Sequence, residues 1–423
     1  MTQHTRPDPT LADELLIDAE IDDAGVQATP PPARFRWLLL LGLVLIGINL
    51  RPALSSLSPV LGQIKTETGL SGALAGLLTT LPVLCLGVFG PLAPRLALRF
   101  GSEKAIAGVL VLLAAGVALR SQLGWLGLFA GSLMAGAGIG IIGVLLPGIV
   151  KRDFPRQASL MTGVYTMALC LGAALAAGAT VPLATAFGGH WQPALAFWAL
   201  PALLALAVWW PQMKQSGSAH QVRWQVSGLW RDKLAWQVTG FMGLQSSLSY
   251  IVFGWLPSIL ADRGLTPLAA GLMLSLSTMV QVAAALAVPV LAQRFADQRI
   301  PIAVVVSMTL AGLLGMLYAP LDQLWLWAVV LGLGQGGTFS MALSLLVLRS
   351  PDSHVAAHLS GMAQGVGYTL ASCGPLAAGI IHDRTGGWSA LGVLFTLVAL
   401  SALALGWQGG RNQLVSARAV PLN

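Results

Sequence analysis

Apolar residues run along this chain in long bands, without the short alternations of a water-soluble fold. Twelve bands can be read, at approximately 36–62, 71–94, 104–121, 123–150, 157–184, 190–211, 235–259, 267–293, 301–319, 323–349, 355–381 and 387–408. At ~1.5 Å rise per residue, a helix of such length spans a hydrocarbon layer of about 30 Å. Backbone polar groups have no water to bond inside that layer, so continuous helices are the structure these bands can take. The pattern predicts an all-α membrane protein with twelve transmembrane helices, called spans 1–12 below.

Polar segments punctuate the bands. Some turns are very short, such as Ser121-Gln122, and the longest interior loop, 212–234, divides the spans six and six. The expected organisation is an acidic, disordered tail (1–33), a six-helix half (34–211), a linker (212–234), a second six-helix half (235–410) and a short tail (411–423). The halves repeat at a shift of 198: Pro59 falls on Pro257, Gly136 on Gly334, Gly138 on Gly336, Lys151 on Arg349 and Gly163 on Gly361. Parallel six-helix repeats related by an axis along the membrane normal are one of the known architectures of secondary carriers.

Composition agrees. The 423 residues are 56% hydrophobic and only 9% charged, where a soluble domain carries about 25%. The net charge of +7 raises the question of nucleic acid, but charge placement answers it. With the N-terminus inside, 18 of the 23 Lys and Arg lie on the cytoplasmic side, and Lys65, Arg120, Arg263 and Arg384 lie outside. That bias follows the positive-inside rule and puts both termini in the cytoplasm. Cys85, Cys170 and Cys373 all sit in apolar runs without metal-ligand spacing, so neither a disulfide framework nor a metal site follows.

The remaining cation is Arg51, about 15 residues into the first band and so roughly 22 Å deep. An arginine at that depth is costly and marks a functional site by default. It cannot escape by losing its proton. The acids outside the tail are Glu67, Glu103, Asp153, Asp232, Asp262, Asp297, Asp322, Asp352 and Asp383, and all nine fall at span ends or in loops. No carboxylate is expected at Arg51's depth. Two readings stand: the guanidinium fork binds an anionic solute, or it caps carbonyls freed by Pro52.

Polar residues at similar depth are the other candidates for a substrate site: Tyr165 on span 5, Gln245 and Ser246 on span 7, Gln281 on span 8, Gln335 on span 10, and Gln364 and Tyr368 on span 11. Gln364 and Tyr368 are four apart and share a face. Asn49, two residues from Arg51, points some 200° away, so it either joins the pocket or ties span 1 to a neighbour. Each of the others carries the same alternative, a bond between helices. No P-loop and no mid-membrane nucleophile–base pair is present, so neither an ATP-driven pump nor an enzyme is expected, and no cofactor is implied.

Several blocks carry a family resemblance: Asn49-Leu50-Arg51-Pro52; Gly76-Leu77-Leu78-Thr79-Thr80-Leu81-Pro82; Leu145-Leu146-Pro147-Gly148-Ile149-Val150-Lys151-Arg152-Asp153-Phe154-Pro155; Gly254-Trp255-Leu256-Pro257; Leu359-Ser360-Gly361-Met362-Ala363-Gln364-Gly365-Val366-Gly367-Tyr368; and Cys373-Gly374-Pro375. In them the chain resembles the major facilitator superfamily, and within it the bacterial cyanate and 2-nitroimidazole transporters. The resemblance implies a carrier of a small solute that works by alternating access as a monomer in a bacterial inner membrane. It does not fix the substrate. The loop between spans 2 and 3 resembles the superfamily's gating loop, with Arg95 and Arg99 as candidate gate residues. Pro94, however, stands where an aspartate is usual, so a latch there must use other contacts, such as Arg95 or Arg99 to helix-end carbonyls.

Small anion transport is therefore the leading expectation. Export of a neutral heterocycle with Arg51 structural is the alternative, and a non-transporting receptor is a distant third.

Overall fold

A computed structural model describes residues 33–154, 157–215 and 224–421. The expected disordered tail thus lies outside the described residues, as does 216–223 of the linker. The described chain is a bundle of long helices. Eleven segments are long and apolar enough to cross a membrane: Trp37–Thr68, Gly72–Phe100, Ser102–Leu119, Gly124–Val150, Gly163–Ala186, Trp191–Met213, Lys233–Asp262, Pro267–Ala292, Arg299–Tyr318, Leu321–Leu348 and Leu391–Gly409. The twelfth, Ser353–Thr385, has the length, 33 residues. Its polar content, with His358, Ser360, Gln364 and Thr369, lowers its hydropathy below theirs. Two ends of the bundle need names: the linker end, where 212–234 passes, and the opposite end, which carries Gly69, Gly189 and Gly386.

Helices overrun the apolar bands by a few residues because polar caps extend them. Span 7 begins at Lys233, with the Asp232 carboxylate accepting the Ala235 N–H at 2.9 Å. Span 11 begins the same way, with Asp352 accepting from the Val355 N–H at 2.8 Å. A carboxylate there satisfies an orphan donor and complements the helix dipole.

Two spans are broken. Span 1 runs as Ala33–Asn49, then Pro52–Ser55, a 3-10 turn at Ser58–Val60, and Leu61–Thr68. Pro52 cannot donate an N–H and its ring crowds the preceding turn, so the helix stops at Asn49 and restarts with Pro52 in its first turn. Span 6 breaks between Trp191–Phe197 and Ala199–Trp209. Pro201 removes the bond to the Phe197 carbonyl there. Asn49 joins the two breaks: its Nδ2 donates to the Leu45 carbonyl at 2.7 Å and to the Pro201 carbonyl at 3.0 Å.

The halves meet along spans 2 and 11 and along spans 5 and 8, with spans 1 and 7 between them. The first segment of span 1 packs on spans 5 and 6 of its own half. After the break, the Ser58–Val60 turn lies against spans 5, 7 and 8. That turn therefore lies across the seam between the halves.

The linker and the C-terminal tail depart from the plain loop and tail expected of them. Strand β1 (Trp224–Ser227) pairs antiparallel with β2 (Arg418–Pro421). Asp232 accepts from the Ser416 N–H and hydroxyl. Arg349, 2% exposed, donates to the carbonyls of Gly409 at 2.9 Å and Gly410 at 3.1 Å and to Gln298, while its own carbonyl receives the Val415 N–H. The tail is docked across the linker end of the second half.

Candidate functional site

Arg51 sits in the gap that breaks span 1. Leu54 N–H, Ser55 N–H and the Ser55 hydroxyl all bond its carbonyl, which fixes the backbone and turns the side chain inward. Its half-buried guanidinium lies over the Phe253 ring at 5.2 Å, a cation–π contact with span 7 of the other half. No carboxylate pairs with it among the described residues. Close packing sets the gap. A Cβ on Gly172 of span 5 would fall 1.9 Å from the Ile48 carbonyl oxygen, so only glycine allows span 5 to lie against span 1 there.

A small cavity lies beside this arginine, between the halves. It is lined by Arg51; by Thr166, Leu169 and Cys170 of span 5; by Ser246, Ser249, Tyr250 and Phe253 of span 7; by Gln281 and Ala285 of span 8; and by Gln335, Gly336 and Phe339 of span 10. Gln281 Nε2 donates to Gln335 Oε1 at 3.1 Å, which leaves the buried Gln335 Nε2 without a partner among the described residues. A Cβ on Gly336 would stand 2.2 Å from the Gln281 carbonyl, so its absence brings spans 8 and 10 close enough for that bond.

The structure therefore gathers Arg51, Gln281 and Gln335 around one cavity, together with Ser246. It places the other candidates elsewhere. Asn49 is 3% exposed and points to Pro201, away from the cavity, so it ties span 1 to span 6. Gln245 bonds the Met242 carbonyl and the Ser246 hydroxyl, supporting a lining residue from behind. Gln364 donates to Ser360 Oγ on its own helix at 3.0 Å. Tyr368 packs edge-on against Tyr250, with ring centroids 6.1 Å apart, and so backs the lining without joining it. Tyr165 packs beside Gly47 of span 1, near Arg51 but outside the lining. Arg95 and Arg99 are exposed at the linker end; Arg99 lies over its neighbour Phe100 at 5.3 Å, and neither bonds a helix-end carbonyl among the described residues.

Sequence reading missed the aromatic side of this cavity. Ser246, Ser249, Tyr250 and Phe253 are spaced i, i+3, i+4 and i+7, one face of a helix. The polar members alone drew attention in a band where aromatic residues read as lipid-facing or core.

The described acids lie near the span ends, and several are engaged there. Glu103 and Asp153 pair with Arg152, at 2.6 and 2.8 Å. The Trp191 indole donates to Glu67 at 2.6 Å and the Trp388 indole to Asp262 at 2.7 Å. These last two are repeat-related: each ties the first span of a half to its last. The cavity is thus a basic, donor-rich and aromatic chamber between two repeated halves, with no acid in its lining.

Comparison with known proteins places this architecture. Residues 38–372 match the Major Facilitator Superfamily. The chain belongs to that family. It is 40% identical over 382 residues to the uncharacterized transporter YycB of Bacillus subtilis, covering 90% of this chain and 94% of that one. It is 38% identical to the 2-nitroimidazole transporter of Escherichia coli, over 88% of this chain and 96% of that one. To the cyanate transport protein CynX of the same organism it is 33% identical, over 83% and 91%. Among solved structures, the inward-open xylose transporter XylE of E. coli superposes with a TM-score of 0.70 at 13% identity, over 87% of this chain and 94% of that one. The expected kinship with cyanate and 2-nitroimidazole transporters holds, and this facilitator is a multi-pass membrane transporter of a small molecule.

Proposed function

We propose that this facilitator carries a small organic or pseudohalide anion by alternating access, with Arg51 binding the negative charge. The observation that supports this reading is the cavity itself: a guanidinium at the meeting of the two halves, beside a Gln335 amide nitrogen, neither with a partner of its own among the described residues beyond the Phe253 ring. Attraction between unit charges at ~4 Å is roughly 4 kcal/mol at an effective dielectric near 20. That is enough to select an anion over a neutral isostere. Phe253, Tyr250 and Phe339 offer flat apolar surface to a planar or conjugated solute. CynX, a 33% relative, is named for an anion.

The linker end faces the cytoplasm on this reading, since the cations of the chain crowd there. Uptake is the proposed direction. With no acid in the lining, coupling does not run through a buried carboxylate. The solute's own gradient, exchange, or a proton travelling on the solute drives transport.

Uptake into proteoliposomes tests this. Cyanate and benzoate are the anion probes and benzamide the uncharged control. Protein-dependent uptake of an anion that is lost in Arg51→Ala, and regained in part by Arg51→Lys, is the expected result. The 2-nitroimidazole relative gives a second reading weight: a heterocycle carried irrespective of its charge. Uptake by Arg51→Ala at the wild-type rate would favour it.

A further inference from the structure

The halves are joined at the opposite end by a contact that no transport role yet explains. Asp383, near the end of span 11, accepts a hydrogen bond from the Ala73 N–H at 2.6 Å. Ala73 is in the first turn of span 2, in the other half. This hydrogen bond crosses from one half to the other. Its carboxylate caps free N–H groups at the positive end of a helix dipole. The seam is built for it. A Cβ on Gly72 would fall 2.0 Å from Asp383 Oδ1, and one on Gly379 2.5 Å from the Gly72 carbonyl, so two glycines let spans 2 and 11 touch there.

Asp383 is itself held in place. His382 faces it at 3.9 Å and faces Asp262 at 3.8 Å. The His382 ring lies 4.1 Å from the Trp388 ring, and Trp388 in turn packs on Trp255 at 5.2 Å. The Trp255 indole donates to the Pro375 carbonyl of span 11 at 2.9 Å. A stack of three rings thus fixes the end of span 11 to spans 7 and 12 and presents the carboxylate to span 2.

We infer that Asp383 is the latch that keeps the opposite side of the carrier shut. Opening that side parts spans 2 and 11 at this seam, so the Asp383–Ala73 bond breaks in the transition. At the linker end the corresponding loop between spans 2 and 3 carries Pro94, which has no carboxylate to offer. The carboxylate latch thus belongs to the opposite end, and it biases the empty carrier toward the state in which that end is shut, the state seen here. The solute, by drawing the halves together around Arg51 and Phe253, supplies the energy to leave that state. The latch stands independently of which solute binds.

Spin-label distances test it. Nitroxides are placed at Ala186→Cys on span 5 and Leu268→Cys on span 8, both exposed at the opposite end, in a Cys373→Ser background; Cys85 and Cys170 are buried. Without solute, the latched protein is expected to show one short-distance population. Asp383→Leu, which removes the acceptor, raises the long-distance population about five- to tenfold, the scale of one charge-assisted hydrogen bond at a partly exposed site. Asp383→Asn keeps an acceptor oxygen and shifts it less. Gly72→Ala drives the carboxylate away from the other half and reproduces the Asp383→Leu shift with Asp383 intact, which covers the case where Asp383→Leu does not fold. Unchanged distances in the folded variants overturn the latch.

Discussion

Two side chains two positions apart have opposite fates, and backbone geometry decides which. Arg51 turns into the cavity and Asn49 turns out to span 6, because helix residues two apart point some 200° from one another. Both stood as candidates from sequence, where depth could be read but facing could not. The difference is measurable. Asn49→Ala is expected to cost roughly 1 kcal/mol of stability, the scale of a lost interhelical hydrogen bond. It lowers the thermal midpoint and leaves the affinity for a bound anion within about twofold. Gln335→Leu differs in its effect on affinity. It removes the amide that lines the cavity, so affinity falls about tenfold, as befits one lost hydrogen bond; the thermal midpoint also falls, because Gln281 loses its acceptor, and the loss of affinity is what sets this variant apart from Asn49→Ala. A titration calorimeter and a melting curve on both variants separate the two roles.

At the scale of elements, the twelve spans were legible because a hydrocarbon core imposes a length and a composition on anything that crosses it. Where they end was less so, since Asp232 and Asp352 extend helices into polar sequence that hydropathy discards. The break in span 1 was visible as Pro52, but its use was not: a proline in a membrane helix can kink it or restart it. Here it restarts the helix and leaves the gap that Arg51 fills. The glycine that makes the gap possible, Gly172, sits in a different span and could not be singled out among 49 glycines. Gly172→Ala is therefore a sharp probe. Its methyl group meets the Ile48 carbonyl, and spans 1 and 5 must part. Overpacking of this kind costs about 1–3 kcal/mol. The variant is expected to melt several degrees lower and to lose transport, whereas Gly148→Ala, with open space around it, keeps both.

For the whole molecule, the repeat was readable from matched residues 198 apart, and the packing extends it to the Glu67–Trp191 and Asp262–Trp388 pairs. The β1–β2 ribbon was beyond reach. It joins four-residue strands separated by most of the second half, and pairing at that distance leaves no local signal. Its anchor is titratable. Burial works to raise the Asp232 pKa, but hydrogen bonds from the Ser416 hydroxyl and N–H and from the Ala235 and Leu234 N–H groups outweigh it, so the pKa is held below the usual carboxylate range. The sign follows: a carboxyl group whose pKa is lower when folded stabilises at pH above the unfolded value of 3.8, and that stability is lost as pH falls through the folded value. Acidification below that point is expected to release the ribbon, followed by protection of its backbone amides from exchange, and Asp232→Asn should remove the pH dependence.

Everything about solute choice rests on Arg51 meeting a negative charge in the cavity. The most direct measurement compares the binding of benzoate and benzamide to purified wild-type, Arg51→Lys and Arg51→Ala protein at fixed ionic strength. Benzoate is expected to bind the wild type at least about tenfold more tightly than benzamide, one charge-assisted contact in size. That preference should shrink in Arg51→Lys and vanish in Arg51→Ala, with benzamide affinity nearly constant throughout. An anion preference that survives Arg51→Ala unchanged would contradict the proposed role of this arginine.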